Sequence, residues 1–211
     1  MTETFEPHLH QAAKPRGARG VVMGWLMESL NSPQNRVTVE ALDPPPGAAV
    51  LEVGFGPGHA LQMLANKVPL GLVAGIDHSP LMVARARRRL NGRRGDAALD
   101  LRLGDAGDLP FPDEKFDLAF AVNSFHLWPD QDRALAEMAG VLKPGGDLAL
   151  SIRDFRVGAR FEAAGKGAAT ARRAAEMMRD LGLQVRQREI VHSARRATLL
   201  VRGRKCGRPE G

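Results

Sequence analysis

Apolar and polar positions alternate along this chain in blocks. Short runs at Val50–Val53, Leu72–Asp77, Leu99–Leu103, Phe116–Val122 and Asp147–Arg153 are dominated by apolar residues. They read as buried parallel strands, since a strand covered on both faces has no polar side to alternate with. Between them lie longer stretches with helical spacing: Gly58–Val68, a segment from Ser79-Pro80 to about Leu90, Gln131–Leu142 and Ala168–Leu181. Ser79 and Pro80 form a cap and a first-turn proline, and Lys143-Pro144-Gly145-Gly146 is expected to break the third helix before the next strand. Gln184–Val191 and Ala197–Gly203 are separated by a short turn and predict an antiparallel hairpin at a sheet edge. Strands alternating with helices predict an α/β sheet with right-handed crossovers.

Ahead of this pattern the chain is different. Residues Met1–Arg19 are polar, contain Pro7 and Pro15, and are expected to be mobile. His8 and His10 lie there without further ligands at metal spacing, so no metal site is predicted. Gly20–Leu30 is helical in length and apolar nearly all round; Ser32-Pro33 then starts a second short helix to about Leu42, and Asp43-Pro44-Pro45-Pro46-Gly47 is a stiff connector. The expectation is one domain over residues 20–203, with helices at 20–42 and a core from 48, between tails at 1–19 and 204–211. At 211 residues, one domain of ordinary size accommodates this.

The stretch Val50–His59, VLEVGFGPGH, carries the first chemistry. Gly54, Gly56 and Gly58 follow a β-branched run, as in a strand that turns sharply into a helix whose N-terminal N–H groups face a ligand. A dinucleotide fingerprint would put its third small residue where His59 stands, and a P-loop would need Gly-Lys-Ser/Thr. Asp77 closes the second strand, where a carboxylate accepts from two vicinal ribose hydroxyls in dinucleotide folds; capping the helix at Pro80 is its alternative role. Glu52 lies inside the first strand, where an unpaired carboxylate is costly to bury.

The G-x-G-x-G spacing after hydrophobic-Glu-hydrophobic, together with Gly104-Asp105-Ala106 and LPFPDEKFDLAF, resembles the class I, type 11-like S-adenosylmethionine-dependent methyltransferases. The resemblance covers about Val50–Arg153. It implies a doubly wound, mostly parallel seven-stranded sheet of order 3-2-1-4-5-7-6, with the last strand antiparallel. It also implies S-adenosyl-L-methionine as cofactor, S-adenosyl-L-homocysteine as product, and cofactor contacts at each strand end. These are Glu52, Gly54, Phe55, Gly56, Gly58 and His59 at the glycine turn, and Asp77 and His78 after the second strand. After the third strand come Gly104, Asp105 and Ala106, with the Asp105 carboxylate against the adenine amine and the Ala106 N–H against a ring nitrogen. Asp105 alternatively only holds its turn. The Asn123 carbonyl after the fourth strand is a candidate for the cofactor ammonium, and Glu52 serves either near that ammonium or as a structural hydrogen-bonding group.

On the acceptor side stands Asn123-Ser124-Phe125-His126-Leu127-Trp128. His126, with an unperturbed pKa near about 6.5, is the candidate general base, or else shapes the cleft beside Trp128. Arg153 joins these two as a substrate-side candidate. No Asn/Asp-Pro-Pro-Tyr follows the fourth strand, which disfavours base-amine methylation. Residues Asp154–Ala168 are too few to build a roof over the acceptor. The surplus apolar surface of Gly20–Leu42 is therefore expected to form a lid, with Met23, Met27 and Asn31 facing the acceptor; the alternatives are packing on the sheet or on a second copy in a homodimer.

The expected partner is a small-molecule acceptor. A net charge of +6 and arginine clusters at Arg85–Arg94 and Arg186–Lys205 keep nucleic acid or anionic lipid as the alternative, and a non-catalytic cofactor-binding scaffold is the rival from another class. A single cysteine, no signal-peptide pattern and no apolar run of membrane-spanning length predict a cytoplasmic protein.

Overall fold

The computed structural model describes residues 33–91, 96–154, 166–193 and 196–207. Helix α1 covers residues 33–42. Strand and helix then alternate: β1 (Ala49–Val53), α2 (His59–Lys67), β2 (Leu72–Asp77), α3 (Pro80–Asn91), β3 (Ala98–Leu103), β4 (Phe116–Val122), α4 (Gln131–Gly140) and β5 (Leu142–Asp154). Helix α5 (Lys166–Asp180) precedes the hairpin β6 (Gln184–Ser193) and β7 (Arg196–Arg204). The sheet order is β3-β2-β1-β4-β5-β7-β6, parallel from β3 to β5, with β7 antiparallel to both neighbours. This is the order and polarity expected from the sequence.

Two apolar layers sandwich the sheet. On one face α1, α2 and α3 pack Val39, Leu42, Leu61, Leu64, Ala86 and Leu90 against Val50, Leu118, Phe120 and Ala149. On the other, α4 and α5 pack Leu135, Met138, Ala171, Ala174 and Met178 against Leu51, Val53, Ala119, Leu148 and Leu150. Central strands buried on both sides have no polar face, which is why they read as continuous apolar runs.

Two boundaries differ from expectation, and a third expectation falls largely outside the described residues. Helix α4 stops at Gly140, and Leu142 already pairs with Phe116, so Lys143-Pro144-Gly145-Gly146 lies within β5 as an irregularity instead of preceding it. Gly145 takes φ +78 and donates to the Lys205 carbonyl at 3.0 Å, which lets the strand absorb the interruption. Second, Arg204 belongs to β7, and Lys205 reaches back to the carbonyls of Ala139 (2.9 Å) and Leu142 (2.8 Å). The C-terminal tail therefore does not begin at 204: a cation at the end of α4 satisfies carbonyls the helix leaves open. Third, residues 20–32 of the expected lid lie outside the described residues, with Met23, Met27 and Asn31 among them. The described remainder, α1, packs on the sheet.

A buried polar cluster fastens α1 there. The Thr38 and Ser151 hydroxyls are 2.7 Å apart, and the Gln34 amide donates to the Ser151 hydroxyl (3.1 Å) and carbonyl (3.2 Å). That carbonyl also accepts from Asn123 N–H at 2.8 Å, so α1 is tied through β5 to the residue that leaves β4.

Candidate active site

The strand order reverses between β1 and β4, and the crevice beyond their carboxyl ends is where an open α/β sheet holds a ligand. Gly54, Gly56 and Gly58 all take positive φ, at +76, +53 and +82. A Cβ on Gly54 would lie 2.7 Å from both Cβ and Oγ of Ser124, and one on Gly58 would lie 2.8 Å from the Ala86 Cβ. Each of those two glycines thus meets both a backbone and a packing requirement. The loop is pinned by Gly54 N–H on the Ile76 carbonyl (2.8 Å) and by the Ser124 hydroxyl on the Val53 carbonyl (2.9 Å).

Asp77 is buried and works on two sides. Its Oδ2 accepts from Gly56 N–H at 2.8 Å and its Oδ1 from Ser79 N–H at 2.9 Å. The Ser79 contact closes a turn ahead of α3 without reaching the N–H groups of its first turn, and the same carboxylate holds the glycine turn. Each oxygen keeps a second lone pair for a hydroxyl donor. Burial pushes the Asp77 carboxyl above its ordinary range, while the Ser79 and Gly56 N–H groups and the His78 ring pull it back.

Glu52, on β1, is 3% exposed. It accepts a hydrogen bond from Leu61 N–H in the first turn of α2, whose N-cap is Gly58 and supplies no side-chain acceptor. The carboxylate thus stands in for a missing cap. Its Oε2 has no partner among the described residues. Burial first and the Asp77 charge second hold this carboxyl well above the ordinary range. A buried oxygen without a donor, beside a second buried carboxylate, calls for a hydrogen-bonding cation from outside the chain.

The remaining cofactor-side candidates divide. His59 opens α2, and its Nδ1 lies 3.2 Å from Arg89, which also donates to the Pro57 carbonyl at 2.9 Å. Since arginine only donates, His59 Nδ1 is the acceptor and the neutral ring carries its proton on Nε2. His78 is exposed, 3.9 Å from Asp77. Gly104 donates to the Asp77 carbonyl at 3.1 Å and its missing Cβ leaves room for Ile76. Asp105 is exposed and accepts from Gly107 N–H at 2.8 Å, so it does hold its turn, with Ala106 half-buried beside it. The Phe55 ring is not at the crevice: it is buried against Gly75, whose Cβ would lie 2.6 Å from it, so only the Phe55 backbone lines the loop.

Beyond β4, Asn123 takes φ +53, an uncommon conformation for a residue with a side chain, held by its N–H on Ser151. A single 3-10 turn, Phe125–Leu127, follows. Phe125 is buried edge-on to Trp128 with ring centroids 5.5 Å apart, and the Trp128 indole nitrogen would stand 3.8 Å from a Cβ on Gly54. His126, on this turn, is exposed. Partial desolvation and the positive charge of half-buried Arg153 lower its basicity, so the ring is neutral at pH 7. Ser124, Ser79, Arg89 and the Gln34–Thr38–Ser151 cluster were not singled out as site residues. Ser124 stands within the quoted loop, but its role becomes visible only once β1 and β4 are side by side.

Among the described residues no group of three or more His, Cys, Asp or Glu is placed to hold a metal ion, and no helix is long and apolar enough to cross a membrane.

Fold and site define a class: an open α/β sheet with a glycine turn and two buried carboxylates at its switch point, the arrangement that holds a nucleoside-bearing ligand. The family model described as a methyltransferase domain matches residues 51–150. A Bacillus subtilis protein named as an uncharacterized methyltransferase is 30% identical over 63% of this chain and 71% of its own. A fatty-acid O-methyltransferase of Mycolicibacterium smegmatis is 43% identical over 47% of this chain, which spans only 35% of that relative. In fold, a crystal structure of a SAM-dependent methyltransferase from Aquifex aeolicus superposes with a TM-score of 0.67, covering 86% of this chain and 97% of that one at 22% identity. The chain belongs to the methyltransferase-domain family, the class I enzymes that use S-adenosylmethionine.

The residues present fit that cofactor. The glycine turn leaves room where side chains would intrude, and the unpartnered Glu52 oxygen and Asp77 place two buried carboxyls where a cationic ligand would be held. When bound, the cofactor supplies a methyl group on a positively charged sulfur. The chain's part is to bind, align and keep water away, because the leaving group is already good.

Proposed function

We propose that this enzyme methylates an oxygen or nitrogen nucleophile of a small, partly apolar acceptor at the mouth formed by His126, Trp128 and Arg153. On the cofactor side, Asp77 holds the ribose, Asp105 and Ala106 the adenine, and Glu52 and the Asn123 carbonyl the ammonium. The observation that carries the reading is His126. It stands on the turn that leaves β4, next to the glycine loop, with its basicity lowered by partial burial and by Arg153. A neutral imidazole at pH 7 is ready to take the proton of a hydroxyl or ammonium nucleophile. Trp128, with the buried Phe125 ring edge-on behind it, gives the mouth an apolar side; the lid expected over Gly20–Leu42, with Met23, Met27 and Asn31, lies outside the described residues up to residue 32. A fatty-acid acceptor, as the name of the Mycolicibacterium relative states for that protein, is of this chemical kind.

An acceptor screen reading S-adenosylhomocysteine, run with wild type and His126→Ala, tests the proposal. The variant keeps cofactor affinity and loses turnover by roughly a hundredfold, the scale of general-base catalysis. Wild-type turnover in the variant would reduce His126 to a wall of the cleft. Turnover on no acceptor would favour a scaffold.

A further inference from the structure

The hairpin that closes the sheet carries a feature the methyl-transfer site does not use. Directly paired residues on adjacent strands share a face. The register pairs Asp147 with Arg204 and Ala149 with Arg202 across β5 and β7, then Arg204 with Gln184, Arg202 with Arg186 and Leu200 with Arg188 across β7 and β6. Arg186, Arg188, Arg202 and Arg204 therefore stand on one face, the one α1 covers further in. Arg186 and Arg188 are exposed, and the side chains of Arg202 and Arg204 are 36% and 60% exposed. Asp147 is the acid of this face on the three strands, and it already holds Arg202 at 2.7 Å and Arg204 at 3.1 Å. Arg186 and Arg188 have no carboxylate partner among the described residues.

Two arginines directly opposite one another, with no acid between, repel. Charge on an edge strand does oppose strand addition by other molecules, but a single cation, or a mixture of signs, achieves that. A patch of one sign is what an anionic partner selects. The nearby cleft of about 350 Å³, between Asp43–Pro45 and Arg202–Arg204, is not the explanation. Its charges are satisfied internally, Asp117 by Lys143 and Asp147 by the two arginines.

The shape of the face selects among anionic partners. Arg186 to Arg204 lie on two adjacent strands about 5 Å apart, with same-face residues about 7 Å apart along each strand, so the guanidinium groups form a nearly flat array. None of the paired residues on this face is aromatic, so it offers no platform on which single-stranded bases stack. Its two strands lie flat in the seven-stranded sheet and do not project as a free ribbon that could enter a duplex groove. A flat array of bidentate donors matches a flat layer of phosphates.

We propose that the β6–β7 face docks this enzyme on an anionic phospholipid surface. The contact is electrostatic and reversible, and it is separate from the cofactor crevice.

Co-sedimentation of the full chain with vesicles of phosphatidylglycerol in phosphatidylcholine, against phosphatidylcholine alone, tests this. Wild type pellets with the anionic vesicles only, and less so as salt rises. Arg186→Ala/Arg188→Ala weakens the binding about twenty-five-fold, from about a fivefold loss per arginine at such a surface, with an unchanged thermal midpoint; Arg186→Lys/Arg188→Lys retains most of it. Failure of wild type to pellet, or equal pelleting of the alanine variant, overturns the proposal. Aggregation of the alanine variant without vesicles assigns the arginines to edge protection instead. Salt-sensitive binding to RNA in the absence of vesicle binding would name the other anionic partner.

Discussion

The two halves of the crevice are built on opposite electrostatic terms. Where β1 and β2 end, two carboxylates are buried, burial and then the Asp77 charge raise the cost of ionising Glu52, and one Glu52 oxygen has no donor among the described residues. Where β4 and β5 end stand His126, Arg153 and the buried Asp154, and burial first and the Arg153 charge second keep the imidazole neutral. The first half carries a cost that a positively charged ligand relieves. The second holds its imidazole without a proton. One half of the crevice is thus built around two buried carboxyls, the other around a neutral imidazole near a cation.

Three substitutions break or sharpen that contrast, in falling order of expected effect. Asp77→Ala removes the acceptor of both Gly56 and Ser79, so S-adenosylmethionine affinity by calorimetry should fall ten- to a hundredfold, the loss of a charge-assisted pair of hydrogen bonds at about 1.5–3 kcal/mol. Unchanged affinity would take ribose recognition away from this carboxylate.

Glu52→Gln separates folding from binding. Folding raises the Glu52 carboxyl, so the ionised form is disfavoured in the native state. Below the ordinary carboxylate range both states are protonated and nothing is lost. As pH rises through that range the unfolded chain ionises first, and stability falls until the folded carboxyl follows. The apo variant should therefore be more stable than wild type at pH 7 by on the order of 1 kcal/mol, or about 2–4 °C in Tm, with the gain vanishing near about pH 4. The same variant should bind the cofactor more weakly. A Tm gain that persists at acid pH would mean the cost is steric.

Arg153→Gln acts on the other half and is the mildest. Removing the cation raises the His126 pKa, so the acid limb of kcat/KM should move to higher pH while cofactor affinity holds. Histidine ring resonances followed through a pH titration give the same answer without turnover. An unmoved limb would separate the two residues.

The donor half was far more legible than the acceptor half. Glycines at two-residue spacing, an acid inside a β-branched run and an acid closing the next strand are local signals, and Gly54, Glu52 and Asp77 come together where those signals place them. What escaped depends on contacts far apart in the chain. Phe55 reads as part of the loop because its neighbours are glycines, yet a core vacancy at Gly75 draws its ring inward. Ser124 fills the space over Gly54 only because β4 lies beside β1. Gln34 and Thr38 look like the polar side of an amphipathic helix, and only the register of β5 shows that they are buried on Ser151. The Lys-Pro-Gly-Gly break was correctly seen as a disruption, but β4 and β7 hold the strand together across it.

The place of β7 between β5 and β6 has a consequence for how the chain comes into being. Every other strand precedes it in sequence, so during synthesis β5 waits with one long edge uncovered and β6 has no partner at all. The carbonyls at the end of α4 that Lys205 later engages stay open for the same interval. An uncovered apolar strand is the template other chains add to. The hazardous interval is thus the one before β7 is made, when the chain already holds its glycine turn and most of its core but still shows β5 to its neighbours.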